Sequence, residues 1–220
     1  MFRIKICGIT RPEDGRLAAE AGADAIGLNF YARSKRYVSP KAAREIAAEL
    51  PAEVARVGVF VNATAAEILD IADTVPLDWV QLHGDEPPGF LPQLAGRRII
   101  RALRCGSEGL TPLAEYLEYC ESLEAPPAAV LVDALTTDGE YGGTGQQAPW
   151  DLLAGSRTWL LGKPLILAGG LVPENVAQAI AHVWPLAVDT ASGVESSPGV
   201  KDAVRMRKFV AAARRAFEQA

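Results

Sequence analysis

Cysteine is scarce in this chain. Its 220 residues hold three, Cys7, Cys105 and Cys120, an odd number without metal-ligand spacing. A disulfide framework is therefore not expected. Long basic tracts are missing too: no Lys/Arg run exceeds a pair, and the net charge is −5. That balance argues against nucleic acid as a partner, although it leaves room for a local basic pocket. No apolar run reaches the length of a membrane span, and the first residues lack the pattern of a secretory signal. Low-complexity and linker-like segments are also absent. These absences predict a cytoplasmic chain without membrane or nucleic-acid partners, folded as a single domain over residues 1–220. Metal ligation is not expected, because His83 and the acids show no spacing such as His-Glu-x-x-His.

What is present is an alternation. With 49% apolar and 22% charged residues, the chain has the makings of one sizeable core. β-rich runs are each followed by a turn and an Ala/Leu/Glu-rich helical pattern. FRIKIC leads to PEDGRLAAEAG, where Pro12 suits a first helical turn and Gly22 a stop. DAIGLNF leads to SPKAAREIAAEL with Ser39 as N-cap, and ARVGVFV to TAAEILDIADTV, where Thr64 and Glu67 have capping-box spacing. LDWVQLH precedes a short, Pro-broken segment. RRIIRAL, AAVLVDA, PLILAGG and LAVDTASGV then repeat the scheme, giving eight units, the sixth with the weakest helix. Strands that alternate with helices imply a parallel sheet, and eight units of this length predict a closed (β/α)8 TIM barrel. Both faces of such strands are buried, which fits their near-continuous apolar runs.

A barrel of this kind carries its chemistry at the carboxyl ends of its strands. The polar and glycine residues there are Cys7, Asn29, Asn62, Gln81, His83, Asp133, Gly169, Gly170, Asp189 and Thr190. LAGGL and DTASGVESSPG follow the seventh and eighth strands, and the second can begin a short helix near Ser192 and Gly193. Loops at those two positions form the common phosphate site of barrels; the alternative is a pair of tight turns that need glycine. Cys7 and Asp133, half a barrel apart in strand order, can flank a substrate as base and acid. That chemistry needs Cys7 to ionise more easily than its usual value of about 8.5 and Asp133 to hold its proton above about 3.9. A buried structural cysteine and a loop-bracing aspartate are the bland alternatives. Arg36, in SKRYVSP above the same mouth, is either a two-pronged carboxylate clamp or a solvated surface charge.

KICGIT, SKRYVSP, VGVFVN, VQLHGDE, LVDA with GGTG downstream, LAGGLVPENV and VDTASGVESSPGVKD occur in this order over nearly the whole chain. Together they resemble the phosphoribosylanthranilate isomerase family of tryptophan biosynthesis. The resemblance implies a cofactor-free Amadori rearrangement of a small sugar-phosphate substrate by a monomer or homodimer. It implies Asp133 as general acid, Cys7 as general base and Arg36 as the holder of the substrate carboxylate. Gly169, Gly170, Ser192 and Gly193 match the phosphate loops, with His83 and Asp189 in supporting roles. The chain departs from the family pattern at Ala191, where many relatives carry serine. It departs again at Pro149, Trp150 and Asp151, in place of the usual Phe-Asp-Trp, and at Asn29, where an apolar residue is common. Two rival readings are a ring-closing lyase such as indole-glycerol-phosphate synthase, and a non-catalytic phosphate-binding barrel. The first needs a lysine at the strand ends, where none stands; the second needs neither acid nor base.

Overall fold

The computed structural model of the chain describes residues 1–105, 109–134, 150–155 and 157–219. Strands β1 (Ile4–Ile6), β2 (Ala25–Asn29), β3 (Ala55–Phe60), β4 (Trp79–Leu82), β5 (Ile99–Cys105), β6 (Ala129–Ala134), β7 (Leu165–Leu167) and β8 (Ala187–Thr190) close into a parallel barrel in sequence order. Closure comes from β1 against β8, with Ile4 opposite Val188, Lys5 opposite Asp189 and Ile6 opposite Thr190. The expected eightfold alternation is therefore the observed fold.

Strand residues alternate between two apolar layers. Ile4, Ile6, Ile26, Leu28, Val130, Val132, Leu165 and Leu167 face outward and pack beneath the helices. Ala25, Val57, Ile100, Leu131, Ile166 and Ala187 face inward. The lower end of this inner layer is plugged by Phe2 and Trp79, edge to face with centroids 6.0 Å apart. Toward the upper end the inward positions turn polar, which is where chemistry becomes possible.

The helices are α1 (Pro12–Glu20), α2 (Pro40–Ala48), α3 (Ala65–Thr74), α4 (Thr111–Ser122), α5 (Trp150–Leu153), α6 (Val176–Val183) and α7 (Ala203–Gln219). Ser39 caps α2 by accepting from the Ala42 N–H, and Thr64 with Glu67 forms the full capping box of α3. After β4 the Pro-broken segment is a 3-10 helix, Pro88–Leu94, and after β6 the described residues hold the four-residue α5 and a 3-10 turn, Thr158–Leu160. A 3-10 turn, Ser192–Val194, stands where the short extra helix was expected. It runs into a hairpin that sequence patterning did not reveal, β9 (Glu195–Ser197) antiparallel to β10 (Val200–Lys201). Among the described residues no helix is long and apolar enough to cross a membrane.

Candidate active site

Gly8 answers for the position of Cys7. The Cys7 N–H donates to Thr190 O at 2.8 Å, and the chain then turns at Gly8 with φ of 74°. The Arg36 stem lies across Gly8 so closely that a Cβ there would overlap its Cδ. Cys7 thus leaves the strand on its inward face, in step with Lys5. Room for the sulfur comes from Gly27 on β2, where a Cβ would sit 2.6 Å from Sγ.

Lys5 lies one layer below Cys7 and is fully buried, its Nζ 2.9 Å from Asp189 Oδ2. Burial disfavours its ammonium, but Asp189 and the Cys7 sulfur more than offset this, and its pKa is raised. Cys7 departs from expectation. Burial pushes its thiol up, and Asp189 adds to that; Lys5 and Lys201 pull it down without prevailing. The cationic surroundings exist, yet the net direction is upward, the reverse of the easy ionisation expected from sequence. Asp189 Oδ1 is buried and has no hydrogen-bond partner among the described residues.

Arg36 is clasped rather than solvated. Its Nε and Nη2 donate to Glu195 Oε1 and Oε2, both at 2.8 Å. Lys201 Nζ donates to the same Oε1 at 2.8 Å and to Ala191 O at 3.0 Å. Burial opposes the Glu195 carboxylate, but Arg36 and Lys201 hold its pKa below the usual range. Burial lowers that of Lys201 despite Glu195. The loop that carries Arg36 is braced by Asn29. Asn29 Oδ1 accepts from the Tyr31 N–H at 2.8 Å, and its Nδ2 donates to Ser34 Oγ, which also accepts from the Arg36 N–H. The polar residue in place of an apolar one therefore has a structural task.

Asp133 follows Ala129 and Leu131 on the inward face of β6, and His83 follows Trp79 and Gln81 on that of β4. His83 Nε2 is 3.4 Å from Asp133 Oδ2, while Gln81 Nε2 lies 3.0 Å from Nδ1. His83 Nε2 is buried and faces Asp133 without a hydrogen bond among the described residues. Asp133 and Cys7 are three strand steps apart through β7 and β8. That is roughly 135° around the axis, short of the half-barrel separation counted along the sequence. Asn62 serves the scaffold. Its N–H donates to Glu86 Oε1 at 2.7 Å and its Oδ1 accepts from the Asp85 N–H, a corner completed by the buried Arg101–Glu86 pair at 2.9 Å.

The loops after β7 and β8 interlock. Thr190 Oγ1 donates to Leu171 O at 2.7 Å, and Gly193 packs so tightly on that carbonyl that a Cβ would overlap it. Gly169 and Gly170 have φ of 83° and 61°, and Asn175 ties the loop through Gly170 O and the Val172 N–H. Among the described residues the Gly169, Gly170 and Ser192 N–H groups donate to no backbone carbonyl. Such a cluster of unpaired donors fits an anion. A depression of about 250 Å³ joins Ser192 to Lys35, Arg36 and Glu195. A larger cavity, about 580 Å³, lies at the opposite end around Phe2, Trp79 and Arg98 and holds none of the expected site residues. GGTG and Pro149 lie outside the described residues; α5 begins at Trp150.

Sequence reasoning missed Lys5, Glu195 and Lys201. A lysine in the middle of FRIKIC was the available signal, since a strand buried on both faces has no place for an unpaired charge.

A family model described as N-(5'phosphoribosyl)anthranilate (PRA) isomerase matches residues 4–212. An N-(5'-phosphoribosyl)anthranilate isomerase of Stutzerimonas stutzeri is 50% identical over 212 residues, 96% of each chain. The crystal structure of phosphoribosyl anthranilate isomerase from Thermotoga maritima is 43% identical, covering 97% of this chain and 99% of that one, with a TM-score of 0.85. A phosphoribosyl anthranilate isomerase in complex with reduced 1-(o-carboxyphenylamino)-1-deoxyribulose 5-phosphate is 41% identical, with the same coverage and a TM-score of 0.82.

Proposed function

The chain belongs to the phosphoribosylanthranilate isomerase family, and from that premise we propose which of its side chains carry the reaction. The reaction is the Amadori rearrangement of N-(5-phosphoribosyl)anthranilate to 1-(2-carboxyphenylamino)-1-deoxyribulose 5-phosphate, a step of tryptophan biosynthesis. One observation carries the assignment of roles: Cys7 and Asp133 occupy inward positions at the carboxyl ends of β1 and β6, three strand steps apart.

Asp133 donates its proton to the ribose ring oxygen as the C1–O bond breaks, giving an open-chain Schiff base. The Cys7 thiolate then removes the proton from C2, and the electron pair moves to form the enolamine, which tautomerises to the ketose. His83 orients the Asp133 carboxyl. Arg36, held in place by Glu195 through Nε and Nη2, grips the anthranilate carboxylate. The backbone donors around Gly169, Gly170, Ser192 and Gly193 take the phosphate, and Ala191 leaves that task to backbone groups.

Mixing the protein with freshly prepared substrate should extinguish the anthranilate fluorescence and yield the ketose. Persistent fluorescence would sink the reading, and release of carbon dioxide when the rearranged ketose is supplied instead would mean ring-closing lyase chemistry. The two lysines nearest Cys7 are both engaged: Lys5 is buried against Asp189 and Lys201 is tied to Glu195.

The brace on Arg36 gives a narrower prediction. Asn29→Ala should raise KM by about tenfold with kcat nearly unchanged, because loss of a ground-state grip affects binding alone. Steady-state kinetics decide it, and an unchanged KM would detach Asn29 from substrate binding.

A further inference from the structure

A lysine inside a barrel is an expensive choice. Exchanging a buried ion pair for apolar side chains of similar volume is often neutral or stabilising, so the fold alone does not call for Lys5 and Asp189. Their location is the better explanation. Lys5 shares the inward face of β1 with Cys7, and Asp189 is its direct register partner on β8. An ammonium has three donors. One goes to Asp189 Oδ2 at 2.9 Å, and Cys7 stands two positions further along the same inward face, within electrostatic reach of the ammonium.

The charged groups facing Cys7 come from three elements: Lys5 on β1, Asp189 on β8 and Lys201 on β10. β2 presents only Gly27, and the Arg36 stem crosses Gly8 from above. Lys201 is committed to Glu195, which also holds Arg36. Across this cluster three cations face two carboxylates, so ionisation of Cys7 brings the total charge to zero. Of the two lysines facing the sulfur, Lys5 exerts the larger pull toward its ionised form.

We propose that Lys5 is a positioning residue for the general base, its ammonium anchored by Asp189 and favouring the thiolate form of Cys7 that takes the substrate C2 proton. The inference rests on the reading of Cys7 as the base. When the thiolate takes up the C2 proton, Lys5 and Asp189 remain paired, so no buried charge is stranded. Burial and Asp189 favour the protonated thiol, and Lys5 opposes them.

The test is the pH dependence of Cys7 alkylation by iodoacetamide, read by peptide mass spectrometry with the buried Cys105 and Cys120 as internal references. Lys5→Gln keeps a donor for Asp189 and loses the charge; Lys5→Met with Asp189→Asn leaves neither buried ion alone. In whichever of these is folded by thermal melt, the midpoint should rise by about half a pH unit or more, roughly a threefold loss of thiolate at neutral pH. The kcat should fall at least as far while KM holds. Lys5→Arg keeps the cation and should keep the wild-type midpoint. An unmoved or lowered midpoint in the uncharged variants, or a rise in Lys5→Arg equal to theirs, overturns the proposal. Full turnover by Cys7→Ala would instead overturn the assignment of the base, whatever the alkylation shows.

Discussion

Cys7→Ala should lower kcat by about 10²–10⁴-fold, the usual contribution of a positioned general base, and leave KM close to that of the wild type. Alanine fits the space beside Gly27 without strain, and nothing in the fold hangs on the sulfur beyond its partnership with Lys5. Asp133→Asn should cost a similar factor, since an amide keeps the shape next to His83 but has no acidic proton for the ring oxygen. The double variant should be little worse than either single one, because acid and base serve successive steps of a single conversion. The pH profile carries a further sign. A base works in its deprotonated form, and the Cys7 thiol is raised above its ordinary value by burial and by Asp189. The kcat/KM of the wild type should therefore climb with pH across the neutral range, and Cys7→Ala should lose that climb. Loss of substrate fluorescence measures all three variants, and wild-type turnover by either single variant would remove that residue from the chemistry.

The barrel was legible because its determinants are local and repetitive. Pro12, Ser39 and the Thr64–Glu67 box mark helix starts by chain chemistry alone, and each starts a helix in the structure. Positions at strand ends follow from the same alternation, which is how Cys7, His83 and Asp133 could be placed at one mouth. What escaped was set by long-range contact. Glu195 meets Arg36 across 159 positions of chain, and Lys5 meets Asp189 across 184; no local pattern encodes such pairings. The direction of the Cys7 shift escaped for a related reason. Cationic neighbours can be guessed from sequence, but the depth of burial that outweighs them is a property of the packed barrel. The hairpin of β9 and β10 was hidden because each strand is too short to show periodicity.

Gly193→Ala carries the other large effect, and it separates phosphate binding from proton transfer. The Gly193 backbone is pressed against the Leu171 carbonyl, and an added Cβ would overlap that oxygen and stand 2.7 Å from Thr190 Oγ1. Neither neighbour is the far end of a flexible side chain, and Thr190 Oγ1 already donates to that same carbonyl. The loops after β7 and β8 must therefore move apart, which typically costs about 1–3 kcal/mol of overpacking. Gly170 and Ser192 belong to these two loops, so their N–H groups, proposed as phosphate donors, would be displaced from one another. KM should rise by about tenfold or more, with a smaller fall in kcat, since the acid and base sit on other strands. Gly89→Ala is the matched control: a Cβ there meets nothing within 4 Å, and its effect on stability should stay within about 0.5 kcal/mol. Inorganic phosphate as a competitive inhibitor gives a second readout, weakened in Gly193→Ala and unchanged in Gly89→Ala. Unaltered KM and phosphate inhibition in Gly193→Ala would place the phosphate elsewhere on the barrel.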